Sequence, residues 1–386
     1  MEETWWTQPE DLDSDQTTVV ALPLNGDHLI VGPAGSGKTN LLILRGSYLY
    51  GAGVRNIAIL TFGRVLKEFL VAGAANYAFP DECIQTYLQW GRQIAEANEG
   101  SFDTSGKFTD VRARLAETLQ RIAAKNDPSN IMDCILLDEG QDYSQQEMEI
   151  IRRFAKQVFV VGDSRQRIYD AHGSIDYLKR TVDNVKELRF HYRNGTKICR
   201  VADGIRGEVD TADGMEQTSN YDERKYPSTV LHVSGEPLSV QLESAITEIE
   251  TQLRAYPDEM IGVLCPRLEE LDVTARTLIN SSLASSIQVQ RFADGYETFD
   301  PKRRVIVTTI HGAKGLEFRA LHLLSMEKIK KFPKNQKHMA YTAVTRAKTS
   351  LAIYHDSTLP GYLDNGLLAA ANQPVRLPEI PDLFRR

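Results

Sequence analysis

The residues with the clearest chemistry are Lys38 and Thr39, which close the run GPAGSGKT from Gly32 to Thr39. Small residues there let the backbone N–H groups of Gly32, Gly35, Ser36 and Gly37 curl around phosphate oxygens at a helix N-terminus. Lys38 then reaches the β and γ phosphates, and the Thr39 hydroxyl joins a Mg²⁺ shell. The run follows HLIV and opens the helical pattern LLILRGSYLY, the strand-loop-helix setting that such a loop requires. A phosphate loop also needs a metal carboxylate and a way to activate water. CILLDEGQD, from Cys134 to Asp142, supplies both. Its apolar residues carry a buried strand to Asp138, whose carboxylate holds Mg²⁺ through water. Glu139 follows, suited to orienting an attacking water.

These groups must be placed by strands that end beneath them. Apolar, β-branched runs recur at 28–31, 56–62, 134–138, 158–163, 185–190, 229–233, 261–265, 305–310, 320–325 and 350–355. Helical patterns such as SAITEIETQLRAY and LEELDVTARTLINS lie between them, and the alternation predicts parallel α/β layers. A chain of 386 residues is comfortable for two domains. The boundary is placed near Asp183, giving 1–183 and 184–386. A small helical insertion is expected over about 94–130, and a long polar loop over 207–228.

The formal net charge is −7, unlike a protein that coats nucleic acid by bulk electrostatics, so any such contact must be local. MEKIKKFPKNQKH, with Lys328, Lys330, Lys331, Lys334 and Lys337, reads either as a solvated loop or as a phosphate-contacting surface. No apolar run approaches the roughly 18 residues needed to span a bilayer. The acidic start MEETWWTQPEDLDSDQ does not read as a secretory signal, and a cytoplasmic chain is expected. Cys83, Cys134, Cys199 and Cys265 have no CxxC spacing and read as buried thiols.

With these runs in view, the chain resembles a UvrD/Rep-type helicase of superfamily 1, its motifs in order over nearly the whole length. LDSDQ is similar to the Q motif, which implies that Gln16 reads the adenine edge. AILTFGRVLKEFL resembles motif Ia, with Phe62 a base-contacting aromatic, and TYLQW resembles motif Ib, with Thr86 toward nucleic acid. DEGQD is similar to the family's DExQD, and GDSRQRIY, with Gln166 sensing the γ-phosphate, to its GDxxQxIY. FHYRNGTKI resembles motif IV, placing Tyr192 against adenine and Arg193 on the γ-phosphate. TTIHGAKGLEF resembles motif V, with Glu317 near the ribose and Thr309 and His311 toward nucleic acid. AYTAVTRAK resembles motif VI, with Arg346 a second arginine finger.

The resemblance implies two RecA-like P-loop NTPase domains with parallel sheets and an ATP site in the cleft between them. ATP and Mg²⁺ are the implied cofactors, and single-stranded nucleic acid, DNA before RNA, the implied partner, tracked 3′ to 5′. Arginines beyond the boundary would complete the site only when two lobes close on ATP, which makes a motor. The chain departs from the family twice. Little separates Trp90 from the motif II strand, so the accessory subdomains are reduced or absent. Two residues beyond Tyr169, where the family usually has a stacking aromatic, stands Ala171, which leaves Tyr169 and His172 as substitutes on the strand side. The missing subdomains keep a second reading open: a nucleotide-gated ATPase subunit controlling a partner nuclease or a repair or defence complex. A P-loop kinase for a small molecule is disfavoured, because it has no need of Arg193 and Arg346.

Overall fold

A computed structural model of the chain describes residues 12–74, 79–125, 131–163, 173–212, 214–291, 300, 302–331 and 336–372. The first sheet contains β1 (His28–Val31), β2 (Ile57–Thr61), β3 (Ile84–Thr86), β4 (Cys134–Leu137), β5 (Val158–Gly162) and β6 (Asn184–Glu187), in the order β3-β2-β4-β5-β1-β6. All its pairings are parallel. Its helices are α1 (Ser14–Val20), α2 (Lys38–Gly51), α3 (Arg64–Ala74), α4 (Tyr87–Glu99), α5 (Phe108–Lys125), α6 (Gln145–Arg152) and α7 (Ser174–Thr181). Every residue of β1, β2, β4 and β5 is buried, as strands covered by helices on both faces must be, which explains their continuous apolar runs.

The second sheet is built from β7 (Thr229–Ser234), β8 (Ile261–Cys265), β9 (Ile287–Val289), β10 (Val305–Thr309), β11 (Phe318–Leu323) and β12 (Ala347–His355). It is again parallel, in the order β7-β12-β11-β8-β10-β9. Around it lie α8 (Thr196–Arg206), α9 (Leu238–Ala255), α10 (Leu268–Ile279), α11 (Gln336–Val344) and α12 (Gly361–Ala371). The two parallel, helix-covered sheets confirm the expected α/β class. Among the described residues no helix is long and apolar enough to cross a membrane.

Two sequence expectations change. The division between 183 and 184 cuts ahead of β6, yet Asn184 to Glu187 pairs with β1 in the first sheet, so that sheet ends only after Glu187. The segment expected as a small insertion begins inside α4 and contains α5. Leu115, Leu119 and Ile122 of α5 share one apolar cluster with Ile135 and Val158 of the sheet, so α5 is a layer of the first lobe. The basic stretch divides: Lys330 Nζ donates to Thr358 O, Lys337 Nζ donates to Arg206 O at 3.1 Å, and Lys334 lies outside the described residues.

His322 on β11 is fully buried, its Nδ1 3.0 Å from the Tyr354 hydroxyl and its Nε2 2.8 Å from Gln252 Oε1. Burial lowers its pKa from 6.5 to about 3. The unfolded chain therefore binds the proton first, and stability falls as pH drops below about 6.5. Between pH 7.5 and 5 this site is expected to remove about 2 kcal/mol of stability. Urea midpoints at the two pH values check this, and His322→Gln is expected to shrink the difference by that amount.

Candidate functional site

The site collects at the C-terminal ends of the strands, where open α/β sheets bind ligands. The loop after β1 curls through Gly35 (φ +79°) and Gly37 (φ +83°) before α2 begins at Lys38. A Cβ on Gly35 would lie 2.6 Å from Arg193 Cβ, so the loop and the chain after β6 approach as closely as only glycine permits. Lys38 Nζ folds back to donate to Gly32 O at 2.9 Å and Pro33 O at 2.7 Å. Asp13 and Gln16 form a capping box that starts α1, and from there Gln16 Nε2 donates to Ser36 O at 3.1 Å. Gln16 thus rests on the phosphate loop.

After β4, Thr39 Oγ1 donates to Asp138 Oδ2 at 3.0 Å. Glu139 takes a left-handed conformation, φ +51°, which costs a non-glycine residue about 1 kcal/mol or more. Gln141 then ties two segments together. Its Nε2 donates to Glu139 Oε2 at 2.5 Å and its Oε1 accepts from the Asp163 N–H at 2.9 Å.

The second lobe closes over these groups. The Tyr192 N–H donates to Gly35 O at 3.1 Å and its hydroxyl to Asp13. Arg193 donates to Thr345 O at 3.2 Å and pairs with Glu317. Arg346, 3% exposed, is anchored by Thr342 O at 3.2 Å and Leu316 O at 3.3 Å. Lys314 pairs with Asp142 across the lobes, and a Cβ on Gly315 (φ +83°) would lie 2.6 Å from Leu66 of α3. The result is a cavity of about 820 Å³ lined by Lys38, Thr39, Asp138, Glu139, Arg193 and Arg346 together with Gln16, Tyr192 and Glu317.

Charge in the cavity is divided. Burial, then the Glu139 charge, pushes Asp138 up to about 7. Burial works against Glu139 too, but Lys314, Arg346 and Lys38 outweigh it and hold its pKa below the usual value. Glu317 likewise stays low because Arg193, Lys348 and Arg346 overcome its burial. Burial lowers the Lys38 ammonium, with Asp163 and Glu139 opposing. Asp138 beside the Thr39 hydroxyl is therefore an oxygen donor set whose negative charge is poorly compensated. A hard divalent cation fits that chemistry.

The strand-side candidates are placed differently. Phe62 is half-buried: Phe108 and Tyr143 meet its ring edge-on at centroid distances of 5.8 and 5.7 Å, and the Arg112 guanidinium lies 4.6 Å from its centroid. Thr86 is a buried N-cap that accepts from the Gln89 N–H at 3.1 Å. Thr309 Oγ1 accepts from the Gly312 N–H at 3.1 Å, and burial, then Lys314, lowers the His311 pKa. Gln166, Tyr169, Ala171 and His172 lie outside the described residues. Sequence reasoning missed Asn220, Tyr221, Lys225, Tyr226, Arg319 and Lys348, all of which line the cavity. Lys348 closes the run AYTAVTRAK without having been given a role there, and the other five lie outside the motif runs, so only the packing of the second lobe brings them to the cavity.

Residues 73–177 match the UvrD/REP helicase N-terminal domain, and residues 256–358 match the UvrD-like helicase C-terminal domain. A probable DNA helicase of Mycoplasma pneumoniae is 27% identical over 363 residues, an alignment that covers 82% of this chain and 65% of the relative, so this chain spans less than two-thirds of that protein. Among solved structures, the PRRSV helicase is 16% identical with a TM-score of 0.41, covering 88% of this chain and 54% of that one. An Arterivirus nonstructural protein 10 (helicase) in complex with DNA is 15% identical with a TM-score of 0.40, covering 92% and 66%.

Proposed function

This chain belongs to the UvrD/Rep-type helicases, and from that membership we propose that it is an ATP-driven translocase or helicase on single-stranded nucleic acid, in a compact form with its accessory subdomains reduced or absent. The strand is DNA, moved with 3′–5′ polarity, and ATP hydrolysis is coupled to its movement. The observation that carries this reading is the shared cavity: the phosphate loop and carboxylate pair of one lobe face Arg193 and Arg346 beyond β6.

In the proposed reaction Lys38 and the loop N–H groups hold the β and γ phosphates, and Gln16 and Tyr192 hold the base. Thr39 and Asp138 hold Mg²⁺, which when bound neutralises charge on the phosphate oxygens. Glu139 is ionised, so it orients a water and accepts its proton as the water oxygen bonds to the γ-phosphorus. The bond from that phosphorus to the β–γ bridging oxygen breaks, leaving ADP and phosphate. Arg193 and Arg346 stabilise the charge that spreads over the transferring group. Because Lys314 lowers the Glu139 pKa from the loop that follows Thr309 of β10 and carries His311, strand contact and water activation share one stretch of chain. Lys38→Ala is expected to abolish ATP hydrolysis, measured as phosphate release; turnover at the wild-type rate would remove the phosphate-loop assignment.

A second reading, a nucleotide-gated ATPase subunit that controls a partner nuclease or a repair or defence complex, draws on Phe62. Its ring is walled by Phe108 and Arg112 of α5, which reduces the face left for a base. Retention of motifs Ia and V favours the translocase.

A further inference from the structure

One wall of the cavity belongs to the segment from Asn220 to Tyr226, inside what the sequence presents as a long polar loop. Three sets of bonds hold it in place. The His191 N–H donates to Thr218 O at 3.1 Å, the Asn220 N–H donates to His191 O at 2.8 Å, and His191 pairs with Ser219 in a parallel bridge. The Tyr221 hydroxyl meets Thr349 Oγ1 at 2.6 Å. Glu223 accepts from the Thr196 N–H at 2.5 Å, the Ser228 N–H at 2.7 Å and both hydroxyls at 2.6 Å. That carboxylate lies at the start of α8, where the helix dipole favours negative charge.

The anchoring decides which end of the cavity the segment faces. Asn220 is adjacent to Tyr192, whose hydroxyl its side chain reaches, and Tyr192 bonds Asp13, which caps the helix carrying Gln16. This is the end away from the carboxylate pair in the bond network, and its chemistry suits a nucleoside. Asn220 presents an amide with donors and an acceptor, able to pair with the N6 and N7 edge of adenine. Tyr226 adds an aromatic surface, held under the Arg319 guanidinium at 4.4 Å.

We propose that Asn220 is a base-contacting residue that sets nucleotide preference, and that Glu223 is the positioning residue that holds its segment against the cavity. The proposal rests on reading the cavity as a nucleoside triphosphate site. The test uses the full chain and measures dissociation constants for ATP, GTP and inorganic tripolyphosphate by displacement of a fluorescent ATP analogue. Asn220→Ala is expected to weaken ATP about tenfold, to leave tripolyphosphate within about twofold, and to erode the preference for ATP over GTP. Glu223→Ala is expected to act in the same direction, with Glu223→Gln, which keeps an acceptor oxygen, restoring part of the ATP affinity.

Equal weakening of ATP and tripolyphosphate would mean that the segment only supports the fold and would overturn the proposal. So would an unchanged ATP-to-GTP ratio. Failure of the underlying reading looks different: the wild-type chain would bind neither ATP nor tripolyphosphate, and Lys38→Ala would change nothing. That result overturns both.

Discussion

Glu139→Gln is expected to lower ATP turnover by about 10³ while leaving ATP affinity within a few-fold of wild type. The substitution keeps the side chain's shape and an oxygen that can still accept from Gln141, 2.5 Å away, so the link from Glu139 through Gln141 to Asp163 persists. What disappears is the negative charge that Lys314, Arg346 and Lys38 maintain against burial. A neutral amide cannot take the water's proton, so the loss falls on the chemical step and not on binding. Phosphate release and ATP affinity, measured on the same preparation, separate the two. Wild-type turnover would show that the water is activated elsewhere.

Arg346→Ala is expected to cost about 10³ or more in turnover, the range of an arginine finger. Arg346 is held by Thr342 O and Leu316 O, so its guanidinium is pre-set before ATP arrives. Arg346→Lys is expected to recover little, because an ammonium lacks the planar fork that bonds the two carbonyls and the phosphate together. Removing a buried arginine also leaves those carbonyls unmet, so thermal stability must be read beside activity. A stable Arg346→Ala variant with undiminished turnover would place the stabilising charge in another residue.

Much of this was legible in the sequence for a physical reason. All ten apolar runs coincide with strands; most are continuously apolar because their strands are buried on both faces, while β6 and β7 are exposed strands at the sheet edges. β3 and β9, Ile84–Thr86 and Ile287–Val289, are too short to show a period. β6 was legible as a strand but not as a neighbour of β1: Val185, Lys186 and Glu187 are exposed, so nothing in their pattern says which sheet they join. The phosphate-loop and carboxylate groups were readable because each is a contiguous run whose backbone shape does the work. Thr86 shows the converse, since its hydroxyl is occupied in capping α4. The Asn220 segment was unreadable because its role depends on pairing with His191 and on Glu223 reaching α8, contacts made only after the second lobe has folded.

The central claim is that nucleic acid and ATP hydrolysis are coupled through one closed site, and the most direct measurement is the steady-state ATPase rate with and without single-stranded DNA, with double-stranded DNA and RNA as parallel arms. The account predicts that single-stranded DNA raises the rate by roughly tenfold or more, a coupling of ordinary size between two sites, and more than either other polymer does. An ATPase rate that none of the three polymers raises would contradict it and leave the partner-gated subunit as the reading that stands.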